Sequence, residues 1–239
     1  MKYLHELSRR NVTVGVVVLV LLVLARPAFE HQQATLSTQA TPTDIMGIDV
    51  SHYQGDIDWS KVKGDAVRFV FVKATEGVSY VDPFSKKNAA SLRSNGIPFG
   101  NYHFFHPNED SERQARFFLK HLSKPLLLPP VLDIEIVQSV SAEELRDKAK
   151  TWLALVEKET GCTPIIYTDL SFWQSFFSES FEQYPLWLAE YRPHLYIPTE
   201  MKRWSIWQKS ESGTISGISG NVDINQLNHS HVSLENLQC

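Results

Sequence analysis

The chain has 239 residues, 43 % of them hydrophobic and 21 % charged, the make-up of a folded protein and not of a disordered or fibrous one. Its net charge of −4 becomes more negative once Lys2, Arg9, Arg10 and Arg26, with Glu6, are set aside, and a nucleic-acid binder driven by counterion release needs the opposite balance. Two cysteines, Cys162 and Cys239, allow one disulfide but exclude a disulfide framework and a cysteine-based zinc site.

In chain order, Lys2, Arg9 and Arg10 precede an apolar run from Val12 to Ala25 that only Thr13 and Gly15 interrupt. The run is shorter than the ~20 apolar residues of a full membrane span and suits the core of a signal peptide or a short anchor. The basic residues before it hold the amino terminus in the cytoplasm, so everything beyond Arg26 is expected to be exported: periplasmic, membrane-anchored or secreted. Residues 1–26 are therefore read as signal peptide or anchor. Residues 27–44, polar and rich in Gln, Thr and Ser, are read as a flexible linker. A single folded domain is expected over 45–230, with a tail over 231–239.

From Ile45 onward short apolar runs alternate with helical patterns. Strands are predicted at Met46–Val50, Val67–Lys73, Phe99–Phe105, Pro130–Ile136, Pro164–Thr168, Leu186–Glu190, Ser205–Gln208 and Val222–Asn225. Three helices lie between them. Asp82-Pro83 supplies a cap and a first-turn proline for one that Gly96 closes. Asp110 caps a second, with Ala115, Phe118, Leu119 and Leu122 on one face. Ser141 and Glu144 form a capping box for the third, whose stripe is Leu145, Ala149, Trp152, Leu153 and Val156, and Gly161 ends it. Such alternation makes an α/β fold with a parallel sheet, and about eight strands favour a TIM-like β/α barrel. Helical signals fade after Tyr167, so an irregular, incomplete barrel is expected, its last strands joined by loops.

Functional groups of parallel α/β folds gather at the carboxyl ends of strands, and here those ends carry acids: Asp49, Asp133 with Glu135, Glu190, and Asp223. Carboxylates among aliphatic residues cost several kcal/mol each to bury unpaired. Asp133 and Glu135 are the sharpest case, since side chains two apart on a strand share a face, ~6.5–7 Å apart at the Cα atoms. Two carboxyls so placed repel, one keeping its proton while the other ionises. Glycoside hydrolysis uses that division: an acid for the leaving oxygen and an anion for the oxocarbenium-like centre. The bland alternative is a solvated strand face. Aromatic residues at or just after strands (Tyr53, Tyr102, Phe104, Tyr167, Trp173, Trp187, Tyr191, Trp204, Trp207) suit the apolar faces of pyranose rings, although many such rings belong to cores. His52, His103 and His106, with Asp49, Asp133 and Glu135, could ligate a hard cation, but no spaced metal-binding motif is present; no metal and no cofactor are expected. Gly213–Gly220 reads as a loop, and no nucleophile elbow or phosphate loop occurs.

Eight segments taken in order complete the picture: Gly47-Ile-Asp-Val-Ser-His-Tyr-Gln-Gly55, Val72-Lys-Ala-Thr-Glu-Gly77, Gly100-Asn-Tyr-His-Phe104, Leu132-Asp-Ile-Glu135, Ile166-Tyr-Thr168, Leu186-Trp-Leu-Ala189, Trp207-Gln208 and Val222-Asp-Ile-Asn225. Together, across Ile45 to Gln226, they resemble the glycoside hydrolase family 25 lysozymes, the Chalaropsis-type N-acetylmuramidases. The resemblance implies an irregular β/α barrel that hydrolyses the β-1,4 bond between N-acetylmuramic acid and N-acetylglucosamine in peptidoglycan. It implies Glu135 as general acid/base. Asp133 would stabilise positive charge at the anomeric carbon or orient the substrate's 2-acetamido group, and Asp49 and Asp223 are further acids of the site that raise the pKa of Glu135. Lys73, Glu76, Tyr102, Tyr167, Trp187 and Trp207 are implied to line the groove. The expected partner is the peptidoglycan glycan strand, bound by a monomer. The rival readings are a catalytically weak peptidoglycan-binding or wall-remodelling protein, and a glycosidase acting on a chitin-like polymer.

Overall fold

A computed structural model describes residues 45–177, 180–192, 204–230, 232–237 and 239. The expected signal or anchor (1–26) and linker (27–44) lie outside them. Among the described residues no helix is long and apolar enough to cross a membrane.

Nine strands form one sheet: β1 (Met46–Val50), β2 (Phe69–Glu76), β3 (Tyr80–Val81), β4 (Phe99–Phe104), β5 (Val131–Asp133), β6 (Ile165–Asp169), β7 (Leu186–Ala189), β8 (Trp204–Gly213) and β9 (Val222–Leu227). They run in the order β1-β9-β8-β7-β6-β5-β4-β2-β3, and β1 also pairs with β2. Eight strands thus close into a barrel, with β3 a short antiparallel addition to β2. The expected incompleteness does not extend to the ring of strands, which is continuous. The irregularity lies in β9, which is antiparallel to both β8 and β1 and follows β8 through a loop without a helix.

Strand alternation divides the side chains. On β2, Phe69 and Phe71 point into the barrel while Val70 and Val72 pack outside it. The interior holds Phe69 and Phe71 together with Val131, Ile165, Tyr167, Trp187, Ile206 and Leu227. Two glycines make room for the phenylalanines: a Cβ on Gly47 would meet the Phe69 ring, and one on Gly100 would come 2.6 Å from the Phe71 ring. The tail packs rather than dangles. Leu237 is buried beside Leu128, Val131 and Ile165 at the end of the barrel where the parallel strands begin, and Cys239 is disulfide-bonded to Cys162.

The helices are α1 (Trp59–Val62), α2 (Ser85–Asn95), α3 (Ser111–His121), α4 (Ala142–Thr160) and α5 (Leu170–Phe172), which widens into a π turn over Trp173–Phe177. Asp110 Oδ1 caps α3 through Arg113 N at 2.7 Å, Ser141 caps α4, and Gly96 and Gly161 end α2 and α4 in the left-handed conformation. The α4 stripe is buried as the spacing predicts. It packs with α3 and α5 on the outer faces of β5 to β7. Helix α2 begins later than Asp82: Asp82 Oδ1 accepts from Phe84 N at 2.9 Å, while its other oxygen turns to His52.

Candidate active site

Inward residues toward the carboxyl ends of the parallel strands include Asp49 (β1), Lys73 (β2), Tyr102 (β4), Asp133 (β5), Tyr167 (β6), Trp187 (β7) and Gln208 (β8). All line one groove of about 450 Å3, with Glu76, Glu135, Tyr191, Glu211 and Asp223, a volume in the range of small-molecule sites. Asp223 joins them because β9 is reversed. Its amino end, not its carboxyl end, reaches the groove, and Asp223 stands directly across from Asp49 in the β1–β9 register.

Four carboxyls form two hydrogen-bonded pairs. Asp133, 6 % exposed, ends β5. The chain then runs on beside β6, Ile134 N donating to Tyr167 O at 3.0 Å, and delivers Glu135 to the same groove. Burial, then the neighbouring Glu135 charge and a hydrogen bond donated to Glu135, raise the Asp133 pKa well above the usual carboxylate range, against the pull of Lys73. Its Oδ1 has no hydrogen-bond partner, a costly position for an ionised oxygen. Solvent reaches part of Glu135. Burial of its carboxyl, with the charges of Asp169 and Asp223, still raises its pKa, while the Asp133 hydrogen bond and Lys73 lower it. Burial raises both carboxyls of this pair, because it penalises the charged form.

In the second pair Asp223 is pushed up to about 8 by burial, by the Asp49 charge and by its own hydrogen bond to Asp49. Asp49 is raised by burial but eased by amide donors: Gln208 Nε2 at 2.9 Å and Asn225 Nδ2 at 2.8 Å, both to Oδ2. Those amides are themselves held. Gln208 Oε1 accepts from the Tyr167 and Tyr191 hydroxyls at 2.8 and 2.7 Å, and Asn225 Oδ1 accepts from Trp187 Nε1 at 2.8 Å. The aromatic residues that line the groove therefore also orient an acid. Opposite, Lys73 Nζ donates to Glu76 Oε2 at 2.7 Å, and His106 Nε2 lies 3.0 Å from Glu76 Oε1. Burial pushes Glu76 up, but the hydrogen bonds and charges of Lys73 and His106 outweigh it and hold the carboxyl below its ordinary value.

Of the residues singled out from sequence, Asp49, Tyr53, Lys73, Glu76, Tyr102, Phe104, Asp133, Glu135, Tyr167, Trp187, Tyr191 and Asp223 meet in this groove. Trp207 does not: Ile206 and Gln208 face inward, so Trp207 points to the other side of β8, its Nε1 donating to Glu190 O at 2.7 Å. Trp173 and Trp204 belong to the outer packing. Glu190 is occupied by Arg192 at 2.7 and 2.6 Å. His103 is a buried core residue between Thr75 and Gln114, its pKa lowered to about 3 mainly by burial. Among the described residues no group of three or more His, Cys, Asp and Glu is placed to hold a metal ion. Gln208 and Asn225 were not singled out as site residues, although a polar residue at an inward position between apolar ones (Ile206-x-Gln208, Asn225-x-Leu227) was a readable signal.

A model of glycosyl hydrolases family 25 matches residues 48–218. The chain is 40 % identical over 193 residues to the uncharacterized protein YegX of Escherichia coli K12, covering 77 % of this chain and 70 % of that one. It is 33 % identical over 210 residues to lysozyme M1 of Streptomyces globisporus, covering 82 % and 71 %. Among solved structures, the bacterial lysozyme of Streptomyces coelicolor superposes with a TM-score of 0.72 at 32 % identity, over 79 % of this chain and 94 % of that one.

Proposed function

The chain belongs to glycosyl hydrolases family 25, and from that membership we propose that it is an exported N-acetylmuramidase acting as a monomer, with Glu135 and Asp133 as its catalytic pair. Its substrate is the peptidoglycan glycan strand, cut at the β-1,4 bond between N-acetylmuramic acid and N-acetylglucosamine. The observation that carries this reading is the placement of two proton-sharing carboxyl pairs in one aromatic-lined groove. Glu135, its carboxyl raised by burial, is the acid for the leaving oxygen, and Asp133 beside it is anionic in that step. Asp133 then stabilises the oxocarbenium-like centre or aligns the 2-acetamido group against it. Glu135, deprotonated by the first step, serves as base for the incoming water. Asp49 and Asp223 line the opposite wall of the groove as a second pair of acids. Export is supported by the basic-then-apolar amino-terminal segment and by the Cys162–Cys239 disulfide, a bond characteristic of oxidising compartments.

Glu135→Gln removes the titrating proton and little else, so release of reducing ends from purified peptidoglycan falls by at least ~10²-fold while thermal unfolding stays near that of the wild type. Full activity in that variant removes the acid/base assignment. Digestion of chitin oligomers alongside separates a muramidase from a broader glycosidase, and a wild-type protein that binds strands without cutting them leaves the binding-protein reading.

A further inference from the structure

We propose that Tyr53 is a fixed stacking platform for a sugar ring of the glycan strand beyond the two that flank the cleaved bond, so that it sets a preference for long strands. The inference rests on the muramidase reading above. Tyr53 lines the groove yet is 82 % exposed, far more than the rings deeper in the site. A lone exposed tyrosine is ordinary; the bracing beneath this one is not. Its ring rests on the His52 ring, with centroids 4.1 Å apart and an interplanar angle of 34°. His52 is pinned in turn to Asp82, whose Oδ2 accepts from the His52 backbone N at 2.8 Å and lies 3.1 Å from Nδ1. Asp82 is itself buried.

The short turn that carries Tyr53, His52–Gln54, is locked from both ends. Ser51 Oγ accepts from Tyr53 N at 3.3 Å and Ser51 N donates to Gln54 Oε1 at 2.9 Å, a reciprocal cap. Gln54 Nε2 also reaches across to Asn221 O at 3.2 Å, and Gly55 leaves the turn with φ 60°. With the backbone of the turn fixed and its ring resting on a braced His52, Tyr53 has less freedom to lose when a ligand arrives, which favours binding. Its flat apolar surface matches the axial C–H face of an N-acetylhexosamine. It stands at the β1 side of the groove, three strands along the ring from the β5 carboxyls, which sets it apart from the pair proposed to cut the bond.

The test is steady-state hydrolysis of peptide-free glycan strands and of the disaccharide whose two rings flank the cleaved bond by wild type, Tyr53→Ala and Tyr53→Phe. With Tyr53→Ala, kcat/KM on long strands is expected to fall about tenfold, the effect of one stacking contact of ~1.4 kcal/mol, through KM. On the disaccharide it is unchanged, and Tyr53→Phe behaves as wild type on both. Equal losses on the two substrates, or no loss on either, overturn the proposal while leaving the muramidase reading intact. A wild-type protein that cuts neither substrate overturns both.

Discussion

Asp223 shows how one residue ties the chemistry of the groove to the stability of the fold. It has an ordinary carboxyl pKa of 3.8 when free and about 8 in the fold. Between those values the folded state keeps a proton that the unfolded chain has released, so this group's contribution is fully present below pH ~4, declines as pH rises, and is exhausted above pH ~8. Asparagine at 223 can donate the same hydrogen bond to Asp49 and cannot ionise. Thermal unfolding of Asp223→Asn and wild type should therefore coincide near pH 4 and diverge with rising pH, the variant being the more stable at pH 9; a difference that does not change with pH contradicts the assignment. The four acids were legible in the sequence because charged residues inside apolar strands need a reason, whereas Lys73 came only with the family resemblance. The early end of β5 was not legible: the strand is expected over Pro130–Ile136 but stops at Asp133, so Glu135 comes from the segment beyond it.

At the scale of elements, the barrel depends on the fit of strand to strand. Gly47 faces inward against the fully buried Phe69 ring, which has no space to retreat into. Gly47→Ala should lower unfolding stability by ~1–3 kcal/mol, as overpacked cores do, measured by denaturant titration. A neutral effect would mean that β1 and β2 are looser than their register implies. All eight predicted strand starts lie within two residues of those observed, since alternation and turn residues mark them well. The direction of β9 was hidden: nothing local in Val-Asp-Ile-Asn tells a parallel from an antiparallel strand, and only closure against β1 decides it. That reversal brings Asp223 to the groove. Trp207, implied by the resemblance alone to line the groove, lies on the other face of β8, where a shift of one residue moves a side chain across the sheet and register shifts lie on both sides of the strand.

For the whole molecule, the disulfide spans 77 residues of sequence and fastens the tail beneath the barrel, at the end away from the groove. Cys239→Ser should cost ~2–4 kcal/mol of stability by loosening the unfolded state's constraint, with hydrolysis at temperatures well below unfolding unaffected; a loss of activity in the folded variant would mean that the two ends of the barrel are coupled. Every other expectation depends on which bond the groove cuts. The most direct measurement is mass analysis of the soluble fragments released from purified peptidoglycan, reduced before separation, by wild type and by Glu135→Gln. N-acetylmuramic acid is expected at the reducing end with wild type, and no fragments above background with the variant. Fragments ending in N-acetylglucosamine, or the same fragments from both proteins, would contradict a muramidase driven by the carboxyl at 135.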